Sequence, residues 1–233
     1  MAIINKSILF LVFSVFSLHT QAALFSDMLI IGASMSADHS APSPGKFLAE
    51  QVRMGKQNIH VEAKDGKKST YHKKFIENEI PKMQPNITVG LDLFFHDFKI
   101  PVPFKPADEQ KLRQTVGVIA DHSETFIVGS AIGYEGALDA NNLLEQLSEE
   151  NENILLVDMD SIFKDLYSFS GYHYNVNGVS MVVYRDQVLA DGLHPNEFGS
   201  RLFTNIIIQK LREKYTDISE RDLPYIDIED FLL

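Results

Sequence analysis

Five short apolar runs set the limits on how this chain folds. They are Asp27-Met-Leu-Ile-Ile31, Ile59-His-Val61, Ile87 to Phe95, Thr125-Phe-Ile-Val-Gly129 and Ile154-Leu-Leu-Val-Asp158. They do not alternate apolar with polar, so each reads as a strand covered on both faces. Helical patterns fill the intervals. Ser43-Pro44-Gly45 opens the first, with Ser43 as N-cap, Pro44 at the first helical position, Phe47, Leu48, Gln51 and Val52 on one face, and Gly55 at its end. Residues 70–83 form a second, with Phe75, Ile76 and Ile80 on one side and Pro81 closing or kinking it. Pro101, Pro103 and Pro106 make the next stretch irregular, and Leu112, Val116 and Ile119 mark a helix over roughly residues 107–121. Asp139 is expected to cap a helix that turns Leu143, Leu144 and Leu147 inward, and residues 160–168 form a short one. Strand and helix alternate throughout, which predicts a three-layer α/β/α sandwich around a mainly parallel five-stranded sheet.

The flanks differ from this pattern. Lys6 precedes the apolar run Ile8 to Leu18, and Ala22 and Ala23 follow, so residues 1–23 read as a signal peptide and the protein as secreted or periplasmic. The run is too short for a comfortable membrane span. Asn177-Gly178 signals a hairpin with Val179 to Tyr184 as one arm, and Asn196 is expected to cap a last helix through Phe198, Leu202, Ile206 and Ile207. Residues 24–215 form the domain, and residues 216–233 an acidic tail that either packs on it or frays. With no Cys there is neither disulfide nor thiol chemistry. The formal net charge of −11 argues against nucleic acid and anionic membrane surfaces as partners.

Asp191-Gly-Leu-His194-Pro195 carries the clearest chemistry. An acid and an imidazole three residues apart, on a loop closed by Pro, suit a His general base steered by a carboxylate. The missing nucleophile is sought at the carboxyl ends of the strands, where open parallel sheets place their sites. Gly32-Ala33-Ser34 follows the first strand, Asp65-Gly66 the second, and Gly90-Leu-Asp92 lies late in the third. Ser34 is then the nucleophile, and the N–H groups of Ser34 and Gly66 can face the oxyanion of a tetrahedral intermediate. Each residue alone is an ordinary turn residue. Their order and their positions at strand ends point to one site.

Together, Gly32-Ala-Ser34-Met-Ser36, Gly66, Gly90-Leu-Asp92 and Asp191-Gly-Leu-His194-Pro195 resemble the motifs of the SGNH hydrolases, also called GDSL-type esterases and lipases. The resemblance runs from about Asp27 to Leu211. It implies a flavodoxin-like sandwich and hydrolysis of acyl esters without metal or cofactor, with catalytic Ser34, Asp191 and His194 and an oxyanion hole at Ser34, Gly66 and the third motif. Two positions depart from the pattern. Ala33 stands where the family has an acid, and Asp92 where it has an Asn that donates to the oxyanion. Ionised, Asp92 would repel the developing charge; protonated, it could donate; turned away, it would leave two backbone donors.

Other residues carry weaker signals. His96, Asp97, His122 and His173 lack metal-ligand spacing. Phe95 and Asp97 are candidates for lining the pocket, and Phe169, Tyr172 and Tyr174 serve either a cleft wall or the core. Ser36 is a substitute nucleophile. The expected substrate is a small acyl ester, with short acyl chains preferred, or an acetylated carbohydrate. A non-catalytic binding protein on the same fold is the rival. Nothing in the sequence sets an oligomeric state.

Overall fold

The computed structural model describes residues 24–98, 104–133 and 135–228. The leader-like segment 1–23, Pro101, Pro103 and the end of the tail lie outside them. The sheet contains β1 (Asp27–Gly32), β2 (Asn58–Ala63), β3 (Ile87–Gly90), β4 (Thr125–Gly129) and β5 (Ile154–Val157), all parallel, in the order β2-β1-β3-β4-β5. The chain steps outward from β1 to β2, then returns past β1 to β3 and continues to β5. The point of reversal is the crevice between β1 and β3, where such sheets open a ligand site.

Strand side chains separate into two cores. Met28, Ile87, Val89 and Ile127 face one apolar cluster, whereas Leu29, Ile31, Phe126 and Val128 face the other. The first is covered by α1 (Pro44–Gln51), by α6 (Met159–Leu166) and by α8 (Glu197–Lys214). The second is covered by α2 (Lys73–Asn78), α3 (Ile80–Met83), α4 (Pro106–His122) and α5 (Glu135–Glu150). This division follows from right-handed crossovers: β1 to β2 runs opposite to the later steps, so its helix lies on the other face. The hairpin of β6 (Tyr172–Val176) and β7 (Val179–Val183) turns at Asn177 and Gly178, both at positive φ (52° and 77°). A short helix α7 (Arg185–Val188) leads from it to the motif loop.

Four expectations need correction. β2 is not covered on both faces: it forms the edge of the sheet, and Asn58 to Val61 are exposed. The third strand ends at Gly90 and not at Phe95; Leu91 to Phe98 turn, although most of their side chains are buried. Asp92 must reach back to the loop after β1, and that pulls the chain off the ladder. Asp139 does not cap α5, which starts at Glu135; Asn141 within that helix instead binds Ala131 N–H (2.7 Å) and Ala131 C=O (2.9 Å), fixing the loop after β4. The helical stretch 70–83 is broken into a 3₁₀ turn, Ser69–His72, followed by α2 and α3. The tail packs as far as described: Ile218, Leu223 and Ile228 join the core under α1 and α8, Ile226 is buried, and Asn205 pairs with both N–H and C=O of Ile226.

Candidate active site

The loop after β7 is organised around one carboxylate. Asp191 Oδ1 accepts the N–H groups of Leu193 (3.0 Å) and His194 (2.8 Å), and Oδ2 lies 2.6 Å from His194 Nδ1. Ala190 N–H reaches back to His194 C=O at 2.8 Å, Leu189 bridges to Pro195, and Gly192 supplies the φ of +84° that the turn needs. Asn196 caps α8 by accepting Gly199 N–H at 2.9 Å, as the sequence predicts. The His194 amide, the His194 ring and the Leu193 amide hold the half-exposed Asp191 well below the usual carboxylate range. A carboxylate can only accept, so His194 Nδ1 carries the proton and Nε2 presents a lone pair. That Nε2 lies 2.9 Å from Ser34 Oγ, across 160 residues of chain.

Ser34 sits in the turn after β1 and is buried except at the cavity it faces. Its loop is held from β3. Asp92 Oδ2 accepts Met35 N–H (2.7 Å) and Ser36 N–H (3.2 Å), and Asp92 Oδ1 accepts the Ser36 hydroxyl (2.5 Å). The Asp92 carboxyl is turned to the loop that carries Ser34, the third of the three orientations considered for it. Burial pushes its pKa up, while the Ser36 hydroxyl and the amides of Ser36, Ala33 and Met35 pull the other way. Ser36 is thereby engaged with Asp92 and Ile31 C=O, and it is Ser34 that meets His194. A Cβ at Gly32 would lie 2.1 Å from Asp92 Oδ1, so this glycine is required by the approach of the Asp92 carboxyl as well as by the turn.

Gly66 lies in an exposed turn at φ +66° and is not among the described residues lining the cavity. Its neighbour Asp65 connects that turn to the site. Asp65 Oδ2 binds His39 Nδ1 at 2.7 Å, and the His39 ring stacks on His194 with centroids 4.0 Å apart and planes inclined by 26°. Two carboxylate–imidazole pairs therefore lie side by side. Sequence reasoning missed His39, and no local signal marks it: it follows Ser34 by five positions, with its partners elsewhere. His39, Asp191 and His194 offer ligand atoms within 4.8 Å of one another, the one such group among the described residues. Stacked imidazoles point their in-plane lone pairs side by side, however, and a tetrahedral metal needs them to converge.

Ser34 and His194 open onto a cavity of about 580 Å³, whose wall includes Phe95, as expected, and His96. Asp97 is elsewhere, accepting the N–H and hydroxyl of Ser69, both at 2.9 Å. Tyr174 belongs to the core and Phe169 is fully exposed; the tyrosine at the cavity is Tyr167, which the sequence did not single out.

No family model matches this chain, and no curated protein matches it. Solved structures do. An acetylxylan esterase, Axe2, from Geobacillus stearothermophilus superposes with a TM-score of 0.58 at 16% identity, covering 81% of this chain and 96% of that one. LAE5, an α/β hydrolase enzyme from the metagenome of Lake Arreo, Spain, gives 0.55 at 14% identity over 84% and 99%. A protein from Parabacteroides merdae described as a GDSL-like lipase gives 0.53 at 16% over 83% and 97%. Two further solved forms of Axe2 are catalytic mutants, one with an Asp and one with a Ser replaced by Ala. These likenesses establish the fold, and it is the sandwich that the motifs of this chain imply.

Proposed function

We propose that this chain is a carboxylic ester hydrolase that works through a covalent acyl-enzyme. The observation that carries the reading is the unbroken line from Ser34 Oγ to His194 Nε2 (2.9 Å) and from His194 Nδ1 to Asp191 (2.6 Å), opening onto a cavity. His194 takes the Ser34 proton as Oγ attacks the ester carbonyl, and Asp191 stabilises the imidazolium. The developing oxyanion is met by the N–H group of Ser34. The tetrahedral intermediate collapses, the alcohol leaves with the proton from His194, and the acyl group stays on Ser34. Water then attacks, again losing its proton to His194, and the carboxylic acid is released with Ser34 restored. Asp92 contributes no oxyanion donor in this scheme; it holds the loop. The leader-like segment 1–23 supports action outside the cytoplasm.

The likeness to acetylxylan esterase favours a second reading, removal of acetyl groups from carbohydrate. Hydrolysis of p-nitrophenyl acetate and butyrate by the purified chain, with Ser34→Ala and His194→Ala beside it, tests the mechanism. Both variants are expected at background, and a fluorophosphonate is expected to label Ser34 alone. An inert wild type that resists labelling would leave a binding protein as the better account.

A further inference from the structure

Resting on the ester-hydrolase reading, we propose that the substrate is an ester bearing a bulky apolar group, a medium-length acyl chain or an aromatic alcohol, and not an acetylated sugar. The cavity beside Ser34 Oγ encloses about 580 Å³, within the roughly 300–1,000 Å³ of sites that take whole small molecules. An acetyl group would leave most of that space to water. Six side chains make the wall apolar: Met35 after the nucleophile, Phe95 beyond β3, Ile132 beyond β4, Phe163 and Tyr167 at α6, and Leu193 before the base. The wall is backed by the core. Phe163 meets Phe95 edge-on at 5.9 Å and stacks on Phe203, itself buried, at 6.2 Å. A surface so supported holds its shape without a ligand.

Besides Ser34 and His194, the polar side chains at the cavity are few, and each has a protein partner. Lys164 Nζ and Asp160 Oδ2 pair at 2.5 Å, and the Tyr167 hydroxyl donates to Gly192 C=O. His96 also has a partner. A sugar ring would bring several hydroxyls into this wall, and each needs a partner to offset its lost hydration. An alkyl or aryl group needs none, and each methylene it buries favours the transition state by about fourfold.

Two arms of one kinetic experiment separate the two sources of the apolar group. The acyl arm takes kcat/KM for p-nitrophenyl acetate, butyrate, hexanoate and octanoate. The alcohol arm compares ethyl, phenyl and 2-naphthyl acetate, with acetylated xylo-oligosaccharide alongside. The proposal expects at least a tenfold rise from acetate to hexanoate, or from phenyl to 2-naphthyl acetate, with the sugar ester slowest. Ile132→Phe, checked by Tm for folding, should lower the ratio of the large to the small ester at least fivefold. Acetate preferred in the acyl arm, a flat alcohol arm and fastest release from the oligosaccharide would overturn the proposal and leave the ester-hydrolase reading standing. Failure of every ester, with no phosphonate label on Ser34, would remove both.

Discussion

Asp191 and Asp92 support the two halves of the same site in opposite ways. Asp191 is half exposed and binds residues two and three positions away. Asp92 is buried and binds residues 56 and 57 positions away. The first carboxyl is held down by local amides, and the second is pushed up by its surroundings. The motif loop therefore carries its own geometry, while the Ser34 loop borrows its geometry from the turn after β3. Damage to the one should appear in rate, and damage to the other in rate and stability together.

The sharpest test of that division is Asp191→Asn. The exchange keeps the shape but loses the acceptor that fixes the His194 tautomer, and kcat is expected to fall by on the order of 10²–10⁴ with Tm almost unmoved. Asp92→Ala should instead leave the buried amides of Met35 and Ser36 without an acceptor. It is expected to cost about 2–4 kcal/mol, read as a Tm drop of roughly 5–15 °C, and about tenfold in kcat. Asp92→Asn retains an acceptor for both amides and should recover most of that loss. A Tm drop for Asp191→Asn as large as that for Asp92→Ala would erase the distinction.

Titration sharpens the comparison, because the two shifts have opposite signs. Asp191 ionises more readily in the folded chain, so it adds stability above about pH 4 and loses it as pH falls. Asp92 ionises less readily when folded, so its ionisation opposes folding as pH rises from about 4. Thermal melts should show the Tm of Asp92→Asn rising relative to wild type from pH 4 to 8, and that of the half-exposed Asp191→Asn falling only slightly relative to wild type, from pH 2 to 5. Parallel curves would remove the contrast. The smallest effect is expected at His39, the ring stacked on the base. His39→Ala should lower kcat by about two- to tenfold with KM nearly constant, and His39→Phe, which keeps a ring there, should restore most of it.

The same distinction decides what could be read from the sequence. The motif loop was legible because Asp191, Gly192, His194 and Pro195 satisfy one another within a few residues. Strands β1, β4 and β5 were legible because a strand buried on both faces must be continuously apolar, whereas β2, an edge strand with Ile59 and Val61 exposed, was placed correctly for a reason that does not hold. The run through Phe95 misled for that reason: Leu91, Leu93 and Phe94 are as buried as any strand residue yet lie in turns. What diverts them is Asp92 binding Met35 and Ser36, a contact that no local pattern announces. His39 was illegible for the same cause, since Asp65 and His194 reach it from separate loops. Asp139 misled because an acid before an apolar repeat looks like a cap even where the helix has already begun.

The packed tail sets a timetable for folding during synthesis. Ile208 and Leu211 of α8 share a core with Ile218, Leu223 and Ile228, Arg53 N–H bonds Asp222 C=O at 3.0 Å, and Asn205 is satisfied by Ile226. A nascent chain that has emerged only to Lys214 has all five sheet strands and both halves of the site. It still exposes an apolar stripe on α8 and leaves the Asn205 amide without its backbone partners. Such a chain remains open to chaperones and proteases until Ile228 is free to dock, so a lesion in the tail should lower the yield of folded protein before it touches the rate of any molecule that folds.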